Sequence, residues 1–522
     1  MKNNFKRFVF NGLLLTVVSL IMRGIGVSFN AYISNKIGAE AMGLFTLIST
    51  VYGFALTLAT SGINLAATRL VSEALSEVDN DGIRHSSLKT RAVRLVVVKC
   101  IKYSIFFGSI STILLFLGAR LIGENILGDT RTVSSLRILA LTLTPIALSS
   151  AISGYFTAVR KVYKNALTQV SEQLFKITLC VILLSRFFAD DIESACLCII
   201  IGGAVAEFFS LILQTVLYLS EKKDISDLSL PPESKLIRHK LLNIALPVAF
   251  SAYVRSALIT IEHILIPRGL QKGGASRGDS LAAYGTVQSM VFPIIFFPSA
   301  ILSSFAGLLV PEIARSNSDA KNPRIKRIIN NVFETSLVFS IGTAGIMIFF
   351  SYELGNVIYP GTDAGLYIQM IAPLIPIMYL DTAVDALLKG LGEQVYSMGI
   401  NIVDSLLSVI LVLFLLPKYG ITGYIITVYF TEFVNASLSI TRLLTISDAK
   451  PNIIKLVFKP IASVIAASFT VRYLSQHISI PFSNGALCLI FSTSLTVSIY
   501  LFILLLLKKV KISRKIQKAL EI

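Results

Sequence analysis

Residues 8–33, FVFNGLLLTVVSLIMRGIGVSFNAYI, carry a single charged side chain, Arg23. An apolar run of this length spans a bilayer, which takes ~20 residues. Lys2, Lys6 and Arg7 precede it in the manner of a signal peptide. The run outlasts the ~7–15 residues of such a peptide's apolar core, however, and no small-residue cleavage site follows, so an uncleaved helix is predicted. Comparable runs recur at 42–63, 96–118, 136–158, 168–187, 195–219, 243–266, 283–310, 330–352, 366–388, 397–416, 421–443, 458–478 and 486–507. One span with its loop per about 37 residues gives about fourteen spans. Composition agrees: 54% of the 522 residues are apolar and 15% charged, against ~45–50% and ~25% in soluble proteins, and the mean hydropathy is +0.75. The predicted fold class is therefore an all-α polytopic membrane protein, with no stretch left over for a large soluble catalytic domain.

The net charge of +17 needs a location. Nucleic-acid binding would want it clustered with stacking aromatics on a soluble face, and that partner is excluded here. One set of connections is rich in cations: Arg69, Arg84, Lys89, Arg91 and Arg94; Arg160, Lys161 and Lys164; Lys222, Lys223, Lys235, Arg238 and Lys240; Arg315, Lys321, Arg324, Lys326 and Arg327; and the tail from Lys508 to Lys518. The alternate connections hold only Lys36, Arg120, Arg131, Arg186, Arg268, Lys272, Arg277 and Lys418. The asymmetry predicts a cytoplasmic-membrane protein with the rich loops and both termini in the cytoplasm. The tail reads as a basic amphipathic helix against anionic lipid.

An internal repeat organises the chain. Pro145-Ile146-Ala147-Leu148 matches Pro376-Ile377-Met378-Tyr379, Ile177 to Leu184 meets Val409 and Ile410 onward, and Glu207-Phe208 matches Glu432-Phe433. Leu70-Val71-Ser72-Glu73 resembles Leu309-Val310-Pro311-Glu312. The order of the matches defines a unit of six helices. Because six is even, the two copies share one orientation, as in transporters built from parallel repeats. The expected domains are a six-helix lobe at 1–220, a second at 241–445, and two further helices with the basic tail at 446–522.

Enzyme signatures are missing: there is no Gly-rich phosphate loop, zinc-binding His/Glu pair or G-x-S-x-G elbow. His85, His239, His263 and His477 are scattered, and Cys100, Cys180, Cys196, Cys198 and Cys488 lie in or beside apolar spans, so no metal, cofactor or disulfide framework is expected. What remains are ionisable residues inside apolar helices, each costing ~2.5–3.5 kcal/mol or more at the bilayer centre and therefore a functional candidate. Arg23 lies between small residues in Arg23-Gly24-Ile25-Gly26; it either grips an anion, which guanidinium does bidentately, or pairs with an acid of a neighbouring helix. Arg255 and Glu262, seven residues apart, fall within ~20° of one helix face, and His263 sits just off that stripe, where a packing role is favoured. Asp381, Asp385 and Lys389 make a second stripe, with Asp385 and Lys389 an i,i+4 pair. Asp381 and Asp385 suit ion coupling or a structural network, and Glu207, Glu432 and Asp404 are weaker candidates of the same kind. Glu172 with Lys176 reads as a structural pair.

Lys36-Ile37-Gly38-Ala39-Glu40-Ala41-Met42-Gly43-Leu44-Phe45, Leu309-Val310-Pro311-Glu312, Leu388-Lys389-Gly390-Leu391-Gly392 and Gly420-Ile421-Thr422-Gly423-Tyr424 together resemble the stage V sporulation protein B group of polysaccharide flippases. That group sits within the multidrug/oligosaccharidyl-lipid/polysaccharide exporter superfamily. The resemblance covers nearly the whole chain. It implies two six-helix lobes around a central cavity, two C-terminal helices as in lipid II flippases, and a role in sporulation or cell-wall building. The implied substrate is an undecaprenyl-pyrophosphate-linked sugar such as a peptidoglycan precursor. Arg23 matches a cavity arginine of the lipid II flippases, whereas a second arginine six residues later is Phe29 here; Arg255 is our candidate for the missing charge.

The expected function is thus a non-enzymatic flippase in which Arg23, Arg255 and Glu262 bind the substrate, with Asp381, Asp385, Glu432 and Glu207 available to couple H⁺ or Na⁺. Its partners would be the lipid-linked sugar, membrane lipid and that ion. The alternative is a cation-coupled multidrug antiporter of the same superfamily, favoured by an acid-dominated cavity. A membrane glycosyltransferase or polymerase would need a larger outer loop than the one holding Asp190-Asp191.

Overall fold

A computed structural model describes residues 2–80, 86–187, 191–220, 234–303, 313, 322–477 and 485–520, with side chains given except at 2–19, 76–80, 86–91, 234–239, 476 and 508–520. Arg84, His85, Asp190, Lys222, Lys223, Arg315, Lys321 and the Leu309–Glu312 tetrapeptide lie outside the described residues, as do the side chains of Lys89, Arg91, Lys235, Arg238, His239 and the cations of the tail.

Every regular element among the described residues is helical. In chain order these are α1 (Lys2–Thr60), α2 (Ile63–Asn80), α3 (Ser86–Leu121), α4 (Thr132–Ala158), α5 (Val162–Phe187), α6 (Ile192–Leu219), α7 (Ser234–Lys272), α8 (Arg277–Gly285), α9 (Phe292–Phe296), α10 (Pro323–Phe349), α11 (Ser351–Ile358), α12 (Ala364–Ile371), α13 (Ile375–Gly390), α14 (Gln394–Ser447), α15 (Ile453–His477) and α16 (Gly485–Leu520). In an apolar solvent only such a structure lets each segment satisfy its own amides and carbonyls. Eleven stretches are long and apolar enough to cross a membrane among the described residues. Two of them, Leu20–Leu75 and Gln394–Ser447, are far too long to be single spans. The 59 residues of α1 would extend about 88 Å as one rod, against ~30 Å of hydrocarbon.

Glycines divide both rods. Gly38 has φ 83° and ψ 171°, and Gly420 has φ 60° and ψ −143°; side-chain-bearing residues rarely adopt such conformations. Each falls between two spans read from sequence, 8–33 and 42–63 in one case, 397–416 and 421–443 in the other. The expected span at 283–310 is interrupted instead. A π-turn occupies Thr286–Val291, α9 is five residues long, and residues 304–312 lie outside the description. Helices also begin earlier than the apolar runs. At α10, Asn322 accepts a hydrogen bond from the Arg324 amide at 2.9 Å and Pro323 fills the first turn, so the helix starts on polar residues that hydropathy passes over. Lys164, counted above as a loop cation, is buried, and its Nζ donates to the Leu217 carbonyl in the last turn of α6 at 3.1 Å.

Two compact units result. One comprises Glu40–Arg268 with Ser276–Ala282, the other Met1–Ala39, Gly269–Ala275 and Ala283–Ile522. In the 40–268 unit, Ile63, Ala66, Leu70 and Val71 of α2 pack with Val96, Val97, Cys100 and Tyr103 of α3 and with Ala245 of α7. In the 283–522 unit, Ile329, Phe333 and Leu337 of α10 pack with Val384 and Leu387 of α13, Val464 of α15 and Tyr500 of α16. The helices approach through small residues, as membrane helices must when lipid competes equally for apolar surface. A Cβ at Gly345 would sit 2.4 Å from Cγ2 of Val464, whereas one at Gly53 would meet nothing within 4 Å. Gly345→Leu is therefore predicted to cost about 1–3 kcal/mol by overpacking, measured as unfolding in detergent, while Gly53→Ala leaves stability within about 1 kcal/mol of the parent.

Candidate functional site

Arg23 is held by a break in a helix. After α9 the chain turns at Phe297–Pro298, and the amide of Ala300 bonds to the Phe297 carbonyl rather than to that of Phe296. The Phe296 carbonyl is left to side chains. Arg23 Nη1 donates to it at 3.1 Å and to Ser299 Oγ at 3.3 Å, and Ser299 Oγ donates to the same carbonyl at 2.7 Å. Farther along the same helix, Asn30 donates to the Ser289 carbonyl of the π-turn and Asn35 to the Ile358 carbonyl at 2.9 Å. Arg23 itself is exposed, and its Nε and Nη2 have no protein partner among the described residues. One edge of the guanidinium is thus fixed, and the other presents the fork that grips phosphate or carboxylate.

The acids of the same unit fall into two groups. Asp381 accepts from Asn435 Nδ2 at 3.0 Å, and Glu432 lies within electrostatic reach of Asp381 and Asp404. These three carboxyl groups from α13 and α14 form one polar patch. Asp385 is committed elsewhere, receiving Lys389 Nζ at 2.5 Å and the Ser397 hydroxyl. A clamp not anticipated from sequence lies nearby: Arg442 makes a bidentate pair with Glu393, both oxygens at 2.9 Å from Nη2, and its guanidinium stacks 5.0 Å over the Tyr396 ring.

In the 40–268 unit, Arg255 on α7 is exposed and has neither a hydrogen bond nor an ion pair among the described residues. Glu262 and His263 follow it, half-buried and engaged with neighbouring groups. Hydroxyls pair α7 with the end of α1 and the turn after it: Tyr253 with Ser61, and Thr57 with Ser256 at 3.3 Å. Glu207 lies within electrostatic reach of Glu172 and of Lys176. Arg23, Asp381, Asp385 and Glu432 therefore belong to one unit and Arg255, Glu262 and Glu207 to the other. Among the described residues no three His, Cys, Asp or Glu side chains form a metal-binding group.

Sequence reading also missed a cluster where α3 turns into α4. Asp129 follows Gly128 and is 4% exposed; Arg131 contacts its two oxygens at 3.0 and 2.8 Å, and Arg277 adds a bond of 2.9 Å. Burial opposes ionisation of Asp129, but the hydrogen bonds and charge of Arg131, with the charge of Arg277, outweigh it and hold the carboxyl below its ordinary value. A depressed folded-state pKa stabilises above the unfolded value, ~3.9, and that contribution is lost as pH falls through the lower folded value. Asp129→Asn is accordingly predicted to lower the thermal midpoint by a constant amount from about pH 5 to about pH 8, the gap closing only below about pH 4. A gap that changes across neutrality contradicts this assignment.

Comparison with known proteins places this geometry. Residues 8–300 match the polysaccharide biosynthesis protein family, and residues 276–414 match the MatE family. The chain is 24% identical over 514 residues to stage V sporulation protein B of Bacillus subtilis (strain 168), covering 97% of this chain and 96% of that protein. It is 22% identical over 425 residues to lipid II flippase MurJ of the same organism, covering 76% and 75%. Among solved structures, lipid II flippase MurJ in an inward closed conformation superposes with a TM-score of 0.70 at 16% identity, covering 96% of this chain and all of that one. An inward-facing multidrug resistance MATE family transporter superposes at 0.59 with 14% identity, over 83% and 99%. The fold is the one these transporters share.

Proposed function

The chain belongs to the polysaccharide biosynthesis protein family, and from that premise we propose that it is a flippase, moving an undecaprenyl-pyrophosphate-linked sugar across the cytoplasmic membrane by alternating access. A peptidoglycan precursor such as lipid II is the substrate that its relatives' names favour. The observation that carries the proposal is the state of Arg23: a guanidinium in an apolar helix, pinned by one nitrogen to a helix break and open along its other edge. A charge kept at that cost, with a bidentate edge to spare, suits the pyrophosphate of such a lipid. Arg255, exposed on α7, is a second group of the same chemistry, and Glu262, two turns farther along the same helix, suits the sugar's hydroxyls. The polyprenyl tail stays in lipid, and with both termini cytoplasmic the inside-negative potential, worth ~2.3 kcal/mol per charge per 100 mV, drives the anionic headgroup outward.

The patch of Asp381, Asp404 and Glu432, and the pair of Glu207 with Glu172, support a second element: coupling to H⁺ or Na⁺. The same patches favour the alternative of a cation-coupled multidrug antiporter. On that reading the acids, not the arginines, would contact the transported molecule.

Charge-assisted hydrogen bonds are worth about 1.5–3 kcal/mol, so Arg23→Ala, inserted at parental levels in proteoliposomes, is predicted to slow flipping of a polyprenyl-pyrophosphate sugar about tenfold or more, with Arg255→Ala acting in the same direction. Arg23→Lys restores only part of the rate, because an ammonium cannot make the bidentate contact. Parental rates in both alanine variants would remove these residues from the binding role. Ser299→Ala is predicted to raise the substrate concentration needed for half-maximal flipping while leaving the maximal rate within about twofold, since it loosens the guanidinium without removing its charge.

A further inference from the structure

The turn between α3 and α4 is tightly built. The Leu127 amide bonds to the Ile122 carbonyl and the Asp129 amide to the Gly123 carbonyl, both at 2.7 Å, and Thr132 Oγ1 donates to the Asp129 carbonyl at 2.6 Å. Three remote segments attach to this turn through charge. Glu40, two residues past the break at Gly38, meets Arg131 at 3.4 Å. Arg277, at the start of α8, meets Asp129 at 2.9 Å. Arg268, near the end of α7, donates to the Asn125 carbonyl at 2.9 Å and to that of Ile126. Glu40 also lies close to the backbone at Gly278, where a Cβ would come within 3.2 Å of its carboxylate. The chain passes between the two compact units at 39/40, 268/269, 275/276 and 282/283, and Glu40, Arg268 and Arg277 each stand at or next to one of the first three.

Ionic contacts of this kind differ from the leucine and valine packing elsewhere in the unit. They hold by a few directional bonds, and Glu40 and Arg277, both partly exposed, can be hydrated once parted. We propose that Asp129, Arg131, Arg277 and Glu40 form a releasable ionic clasp that ties the α1 segment beyond Gly38 and the 276–282 segment to the α3–α4 turn, its release being one of the movements of the transport cycle. The inference goes beyond the substrate assignment and rests on the transport reading only for its second half. Asp129 keeps Arg131 when Arg277 is removed, so Arg277→Ala opens the clasp without leaving the buried carboxylate unpaired.

The test is hydrogen exchange in lipid nanodiscs alongside flipping in proteoliposomes, for the parent, Arg277→Ala and Glu40→Gln. Arg120→Ala serves as the control, since it removes only an exposed i,i+4 pair with Glu124 at the same end of α3. Either clasp variant is expected to speed exchange of the amides in 127–133 and 278–284 about tenfold or more and to change the flipping rate at least about threefold; the control changes neither. Unaltered exchange in both clasp variants overturns the clasp. Faster exchange with a parental flipping rate overturns its place in the cycle. A parent that flips no lipid-linked sugar overturns the transport reading instead, and the exchange result still decides the clasp.

Discussion

A carbonyl or amide that loses its helical partner inside a bilayer has no water to turn to, and the placement of polar side chains in this protein follows from that constraint. The described residues are helical nearly throughout, and at several interruptions a side chain completes the bonding. Arg23 and Ser299 serve the Phe296 carbonyl, Asn30 serves the π-turn at Ser289, and Arg268 serves the carbonyls of Asn125 and Ile126. Interruptions therefore gather donors, and some donors keep capacity to spare. Arg23 is the clearest case, because serving the break uses one of its nitrogens and leaves a bidentate edge, the feature on which the proposed binding role rests.

The same constraint sorts the other charges. Asp385 with Lys389, Glu393 with Arg442 and Asp129 with its two arginines are closed sets in which each charge meets its opposite. Glu207 and Glu432 stand apart, since their nearest charged neighbours include other carboxyl groups. The sequence matches Glu207-Phe208 with Glu432-Phe433, which is the basis for proposing a coupling role for both.

The spans were legible because twenty apolar residues in a row have few other fates, and Gly38 and Gly420 fall where adjoining runs had to be separated. The Asp385–Lys389 pair was legible because a helix fixes its spacing. Lys164 was misread, since a loop cation and a buried cap of a neighbouring helix look identical until the packing is known. Arg23 could be picked out by its cost in lipid, but its partners lie 273 and 276 residues away and carry no local signal. The clasp was invisible for the same reason: Glu40 and Arg131 are 91 residues apart, and each alone reads as an ordinary loop charge.

The central claim is that this protein selects an anionic lipid-linked sugar by guanidinium rather than an organic cation by carboxylate. The most direct measurement reconstitutes the parent protein in proteoliposomes and compares flipping of a polyprenyl-pyrophosphate sugar with efflux of a cationic dye, with and without an imposed membrane potential. The account predicts movement of the lipid-linked sugar, faster when the substrate-loading side is negative, and none of the dye above protein-free vesicles. Transport of the dye alone would contradict it.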